Sequence, residues 1–185
     1  MTGNPYLRTD EKKEGLKGLE FLLHALRISA KDEYYWKWVI VALLNTIQAF
    51  IVCSISGTAG LGALRKDSRV KHLKAYESGS IEIDEPVLDY FPSLYKKMKS
   101  ELKFASTKEI DDDVEKARRF RNKFIHFTPQ AWSLQIVGLP RITKNSLKVV
   151  EFLGWKPGHF HWDNNEREKA IKLHNQIIKY LETFH

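Results

Sequence analysis

The apolar residues of this chain recur mostly at three- and four-residue steps, the spacing of an amphipathic helix. One such stripe marks a first helix over about residues 10–27: Leu16, Leu19, Leu23 and Leu26. A third helix is predicted over about residues 85–103, with Val87, Tyr90, Phe91, Leu94 and Met98. The last helix, about residues 163–184, carries Ala170, Leu173, Ile177 and Leu181. Since strand patterns are few, the chain is predicted to be all-α.

The second predicted helix, about residues 33–55, is apolar on nearly every side, which is typical of a helix buried within a bundle. The stretch from Trp38 to Leu64 contains no charged residue, and a membrane span needs about 20 apolar residues. Polar residues interrupt it, however: Asn45, Thr46, Gln48, Ser54 and Ser56. Because the other predicted helices are amphipathic, the sequence favours a central bundle helix over a membrane span.

A fourth helix is predicted to begin with a capping-box spacing from Ser106 to Glu109, followed by a run of three aspartates. Residues 111–113 suit the positive end of the helix dipole. We therefore interpret the acidic run as a helix start and not as a metal site.

The fourth helix is expected to end near Phe127, because Pro129 disfavours helical geometry at Thr128. Beyond it, apolar and polar residues alternate over residues 132–136, as in a short extended segment. A fifth helix is predicted from Pro140 to about residue 152. The sequence thus predicts one domain over residues 1–185, a bundle of about five to six helices with an irregular or extended segment after the fourth.

Composition adds limits to this picture. The chain has 185 residues, 43% of them hydrophobic, which is enough for one domain with a sizeable core. Its single cysteine, Cys53, excludes an internal disulfide framework and fits a reducing compartment. No apolar signal segment follows Met1. We therefore expect a cytoplasmic protein, and no residue pattern predicts a cofactor.

Charge indicates an anionic partner. The formal net charge is +7, which favours association with polyanions. Basic residues are densest just after the second helix: Arg65, Lys66, Arg69, Lys71 and Lys74. This segment has two interpretations, a solvated loop or helix face, or a strip that contacts the phosphate backbone of RNA.

The clearest chemical signal lies near the end of the fourth helix. On an ideal helical wheel Arg121 falls among the apolar positions, which is costly unless its charge is paired or faces a polar cavity. This placement is compatible with either a structural or a functional role for Arg121. His126 lies about 140° away on the same wheel, whereas Arg119, Asn122 and His126 share a polar face.

The segment Arg121-Asn122-Lys123-Phe124-Ile125-His126 resembles the R-x4-H motif of the HEPN superfamily, including the polar residue after the arginine. HEPN domains are all-helical bundles of about this size, with the motif late in the bundle near a helix end. Many are metal-independent endoribonucleases, often toxins or antiviral effectors, and some have an antitoxin partner. The resemblance implies a homodimer in which two copies of the motif face one cleft, so that Arg121 and His126 converge between chains.

In the role that the resemblance implies, His126 would take the proton from an RNA 2′-hydroxyl. Arg121 would stabilise the added negative charge on the phosphate. Asn122 would orient His126 or donate to a phosphate oxygen. Arg119 would join the basic strip as an RNA-binding residue.

An alternative interpretation is a non-catalytic HEPN-like module that binds RNA or a nucleotide. Asn45 and Gln48 could face the same cleft, although core hydrogen bonds are the favoured role for both. Some HEPN toxins carry a tyrosine where this chain has Thr128, so inhibition through modification of that tyrosine is not expected. The His159–His161 pair is not favoured as a metal site, and the nearby aromatic residues are expected to cap the bundle.

Overall fold

The computed structural model describes residues 6–80, 84–126, 129–156 and 158–184. Within these ranges the chain forms seven α-helices: α1 (Glu11–Ser29), α2 (Trp36–Ile55), α3 (Lys66–Ser78), α4 (Phe91–Glu101), α5 (Lys108–Ile125), α6 (Leu139–Trp155) and α7 (Asn164–Leu181). A 3₁₀ turn, Glu33–Tyr35, leads into α2, and the described residues contain no strand. The predicted all-α bundle is confirmed. Phe127 and Thr128, where the fourth helix was expected to end, lie outside the described residues.

Side-chain caps determine where several helices begin. The carboxylate of Asp10 accepts a hydrogen bond from the Lys13 amide at 2.7 Å and so caps α1. For α5 the cap is Thr107, whose hydroxyl accepts from the Ile110 amide at 3.3 Å. The predicted capping box at Ser106 is therefore displaced by one residue, while the start of the helix stays where the acidic run indicated.

Helix α2 is the centre of the bundle. It packs against α1, α4, α5 and α6, and fourteen of its twenty residues are buried. The stretch Glu33–Ile55 is the one helix of the described residues that is long and apolar enough to cross a membrane, with 61% of its most apolar window buried inside the bundle. The apolar run thus supplies the core, as the central-helix interpretation predicted.

Close packing around Phe50 joins α1, α2 and α6. A Cβ atom on Gly15 would lie 2.9 Å from the Phe50 ring, and one on Gly154 would lie 2.8 Å from it. Both distances are shorter than real carbon contacts, so only glycine fits at these two positions. Three more rings surround Phe50, with centroids within 6.4 Å: Trp155, Phe160 and Trp162. These aromatic residues close one end of the bundle.

Helix α3 is the element that the apolar pattern did not predict. Only Ser68 and His72 are buried on it, whereas three apolar side chains are exposed: Val70, Leu73 and Tyr76. In the described part of the chain no other helix packs against α3. A short backbone pairing attaches it, in which the Arg65 amide donates to the Val87 carbonyl at 2.9 Å. A helix without a core-facing stripe leaves no strong periodic signal.

We expect Gly154→Ser to destabilise the protein by about 1–3 kcal/mol, because the new Cβ would overlap the Phe50 ring. Gly138→Ser is the matched control, since a Cβ at Gly138 meets no atom within 4 Å and serine is a favoured residue at that helix start. Urea unfolding followed by circular dichroism measures both variants. Equal stability losses would contradict the packing role of Gly154.

Candidate functional site at the end of helix α5

Helix α5 presents one apolar face to the core. Ile110, Val114 and Ala117 are buried, and Phe120 is half-buried beside them. The helix contacts α2 and α6. The apolar sector of the wheel therefore faces the bundle, as predicted, and it sets the rotation of the polar residues that follow.

A buried carboxylate fixes α5 against α6. Asp113 is fully buried, and its Oδ2 accepts from Nη1 of Arg141 at 2.6 Å and from Nδ2 of Asn145 at 2.8 Å. Oε1 of Glu109 accepts from the same two groups at 3.1 and 3.2 Å. Sequence reasoning assigned the acidic run only to the helix dipole. The inter-helix role of Asp113 was missed because its partners lie 28 and 32 residues away.

A second carboxylate links α5 to α4. Asp111 accepts hydrogen bonds from the Tyr95 hydroxyl at 2.8 Å and from Nζ of Lys99 at 2.5 Å. Burial alone would raise the pKa of Asp111, but hydrogen bonds from neighbours that include Lys99 hold that pKa below its usual value. Burial raises the pKa of Tyr95, so its phenol stays a neutral donor. These contacts tie the start of α5 to α4.

A cleft of about 230 Å³ lies between the end of α5, the middle of α2 and the start of α4. Arg121, Asn122 and His126 all line it. The other walls are formed by Leu44, Gln48, Tyr90, Phe91, Pro92 and Arg118. The three predicted catalytic residues therefore meet in one cleft, which we call the Arg–His cleft.

The end of α5 explains why these residues converge. The helix stops at Ile125, and His126 takes an extended backbone conformation with φ −98° and ψ 90°. Its amide still donates to the Asn122 carbonyl at 2.9 Å. The 140° separation of the ideal wheel does not apply to a residue outside the helix. A single chain thus brings Arg121 and His126 to one cleft, so their convergence does not require a second chain.

Arg121 has little to neutralise it. Its side chain is half-buried, and Nη1 donates to Oδ1 of Asn122 at 3.3 Å. Among the described residues, no carboxylate forms an ion pair with Arg121. The interpretation of Arg121 as a structural arginine, bonded to carbonyls or to an acidic partner, finds no support in the contacts of the described residues. The guanidinium faces a polar cavity, and Asn122 positions it.

Two further positive features line the Arg–His cleft. Arg118 forms a two-point pair with Glu115 at 2.7 and 2.6 Å, and this hydrogen bonding lowers the pKa of Glu115. Helix α4 begins at the cleft without a side-chain cap on its first turn, so the positive end of its dipole is open there. Sequence reasoning missed both features, although Arg118 lies four residues before Asn122 and so shares its face.

Asn45 and Gln48 of α2 differ in whether they line the Arg–His cleft. Gln48 is half-buried and lines the Arg–His cleft. Asn45 is exposed and, together with Gln48, lines another depression on the side of α1, but it does not line the Arg–His cleft. Gln48 thus adds an amide to the site, and Asn45 lies outside it.

The basic strip lies on α3. Arg65 pairs with Asp67 through contacts of 2.6 and 2.7 Å, and Lys71 pairs with Asp84 at 2.9 Å. Three other cations of the strip form no ion pair with any described residue: Lys66, Arg69 and Lys74. Arg65 also interacts with Tyr90, which lines the Arg–His cleft, so α3 begins beside the cleft. Arg119 is exposed and lies outside the lining.

Two other candidate residues, His159 and Cys53, lie in surroundings that suit a structural role. The His159 ring packs on Phe152, with centroids 4.9 Å apart. Burial raises the pKa of Cys53 to about 11, so the thiol is protonated at neutral pH and a poor nucleophile. Among the described residues, no three His, Cys, Asp or Glu side chains lie together as a metal site would require.

In comparisons with known proteins no family model, no curated protein and no solved structure matches this chain. The fold and the cleft define an all-α bundle with an arginine, an asparagine and a histidine at one anion-suited site.

We expect Arg141→Met to lower the free energy of unfolding by about 2–3 kcal/mol, because the fully buried Asp113 would lose its closer cationic partner and keep only Lys116 at 3.8 Å. Lys108→Met is the matched control, since it removes the exposed pair with Asp112 at 2.5 Å, and such exposed pairs contribute little to stability. Urea unfolding measures both. A loss for Arg141→Met no larger than the control would contradict the anchoring role of Asp113.

Proposed function

We propose that this protein is a metal-independent endoribonuclease of the HEPN type, with Arg121, Asn122 and His126 as its catalytic residues. The observation that supports this most directly is their convergence in the Arg–His cleft of a single chain. A guanidinium without a carboxylate partner suits a phosphate, and an exposed imidazole beside it suits proton transfer.

The reaction follows from these groups. His126 removes the proton of a ribose 2′-hydroxyl, and the 2′-oxygen forms a bond to the adjacent phosphorus. The bond from phosphorus to the 5′-oxygen breaks, and that oxygen takes a proton from the imidazolium. The products are a 2′,3′-cyclic phosphate and a 5′-hydroxyl, with no net change in protons.

Transition-state charge is stabilised from two directions in this proposal. The Arg121 guanidinium, positioned by Asn122 at 3.3 Å, binds the phosphate oxygens as negative charge grows on them. The uncapped start of α4 lines the same cleft and adds its dipole. Neither contribution requires a metal ion.

Substrate binding draws on the basic surface beside the cleft. Lys66, Arg69 and Lys74 form no ion pair with any residue in the described ranges, so they are available to phosphates of the RNA backbone. Arg119, which is exposed on α5, is a further cation available to the RNA. Arg65 and Lys71 contribute less, since each already pairs with an aspartate.

The remaining parts of the proposal rest on the HEPN resemblance. Two copies of the chain form a homodimer in which the two Arg–His clefts face each other. The protein acts in the cytoplasm, in a toxin or defence system, with an antitoxin as its regulator.

One observation favours the alternative of a non-catalytic HEPN-like module that binds RNA or a nucleotide. His126 is exposed, and no side chain in the described ranges forms a hydrogen bond with its imidazole. A general base usually has a partner that fixes its tautomer. In this alternative Arg121 and His126 bind a phosphate without cleaving the chain.

We expect Arg121→Ala and His126→Ala each to lower single-stranded RNA cleavage about 100-fold or more, because a general base and an oxyanion donor each contribute about that much. The measurement is the cleavage rate of a labelled oligonucleotide in the presence of EDTA.

Arg167→Ala and His24→Ala are the matched controls, since both residues are exposed and lie outside the cleft. Their cleavage rates should equal that of the wild type. Full cleavage by the cleft variants would contradict the catalytic assignment, and so would a requirement for magnesium or zinc. RNA binding by the wild type without cleavage, together with weaker binding by Arg121→Ala and His126→Ala, would establish the alternative.

We expect replacement of Lys66, Arg69 and Lys74 by glutamine to weaken RNA binding and to reduce its salt dependence. For single strands log K falls with log salt by about 0.7 per phosphate contact, so three lost contacts flatten the slope by about 2. Fluorescence anisotropy at several salt concentrations measures this slope. A slope equal to that of the wild type would exclude α3 as a phosphate-binding helix.

A further inference from the structure

A second cleft, of about 370 Å³, lies where the start of α2, the end of α5 and the extended segment before α6 meet. We call it the aromatic cleft. Its walls are largely apolar, and they include Trp36, Phe124, Trp132, Leu134 and Ile136. Glu33, Tyr34, Lys37 and Lys123 complete the lining with polar groups. The cleft is large enough for one nucleotide.

The extended segment forms one wall of the aromatic cleft. Exposure alternates along residues 131–136, so that Trp132, Leu134 and Ile136 face inwards while the residues between them face solvent. The Trp132 ring packs on Phe124, with centroids 4.9 Å apart. Trp132 remains only half-buried, so part of this large ring is available to a ligand.

Two ammonium groups accompany these rings. Nζ of Lys123 lies 5.1 Å from the centroid of Trp132, and Nζ of Lys37 lies 5.7 Å from that of Tyr34. An apolar aromatic slot with cations in its lining fits a ligand that is planar at one end and anionic at the other. A nucleotide has both properties, since its base stacks on aromatic rings and its phosphate pairs with lysine.

The aromatic cleft lies next to the proposed catalytic residues. Lys123 and Phe124 line it, while Asn122 and His126 line the Arg–His cleft. The two clefts therefore open on two faces of the same helix end. A single strand that crosses the end of α5 can place one base in the aromatic cleft and a neighbouring phosphate in the other.

We propose that the aromatic cleft is a nucleobase subsite, in which Trp132 stacks on one unpaired base and Lys123 binds the adjoining phosphate. This inference rests on the proposed function only in taking RNA as the ligand, since stacking of a base does not require cleavage. Glu33 adds a carboxylate to the lining. A carboxylate accepts from the exocyclic amino groups of adenine, guanine and cytosine, so these bases bind in preference to uracil.

The experiment uses the full chain with His126→Ala, so that RNA is not consumed, and measures its affinity for labelled oligonucleotides by fluorescence anisotropy. Three ten-nucleotide probes are compared: oligo(A), oligo(U) and an abasic oligomer with the same number of phosphates. We expect Trp132→Ala to weaken oligo(A) binding about 5- to 100-fold, because stacking on an aromatic ring contributes that much per base. The abasic oligomer should lose no affinity.

Phe21→Ala is the matched control, because Phe21 is an exposed aromatic residue on α1 outside the cleft lining, and the affinity of this variant should equal that of the parent chain. Trp132→Phe should keep most of the affinity for oligo(A), which separates loss of stacking from loss of folding. Lys123→Gln leaves the Trp132 ring in place and should weaken oligo(A) and the abasic oligomer by a similar factor of a few-fold.

The outcomes separate this inference from the proposed function. If the wild type cleaves RNA and Trp132→Ala binds oligo(A) as tightly as the parent chain does, the subsite is overturned. The ribonuclease assignment then still stands. Trp132-dependent binding of oligo(A) without cleavage would support the subsite and overturn the ribonuclease assignment. Equal affinity for oligo(A) and the abasic oligomer would overturn the subsite, and absence of RNA binding would overturn both.

Discussion

The fold depends above all on the burial of most of α2. A helix this apolar is stable in water only when neighbours cover most of its surface, and the packing of α1, α4, α5 and α6 leaves fourteen of its twenty residues buried. Coverage at close range requires positions without side chains, which Gly15 and Gly154 supply against Phe50. The central helix thereby fixes the distances at which the surrounding helices, including the one that carries the candidate site, can lie.

Polar interactions then set the orientation of α5 within that frame. The carboxylate of Asp113 holds the helix to α6, and Asp111 holds its start to α4. With the helix fixed by these contacts and by its apolar face, Arg121 points along the core boundary into a polar cavity. Because the helix ends at Ile125, His126 has an extended backbone, and it lines the same cavity. The site thus depends on where α5 ends as well as on which residues α5 carries.

The surface around this helix end suits one extended anionic ligand in three ways. The Arg–His cleft combines a guanidinium with the open start of α4. The aromatic cleft on the other face combines tryptophan with lysine. Helix α3, which no other described helix contacts, begins beside Tyr90 and presents basic side chains. Under the proposed function these three regions would hold the scissile phosphate, a base and the flanking backbone of one RNA strand.

The spacing of apolar residues predicted most of the helices and the central place of α2. It also predicted that Arg121 lies among core positions. These depend on neighbours within one or two turns, which the order of residues specifies directly. Tertiary structure alone decided which partners Asp113 has, that Gln48 and not Asn45 lines the Arg–His cleft, and that Arg121 and His126 converge. Each joins residues that are distant in the chain or depends on a backbone that leaves the ideal helix. Helix α3 had no core stripe to reveal it, and the aromatic cleft exists only where three separate segments pack together.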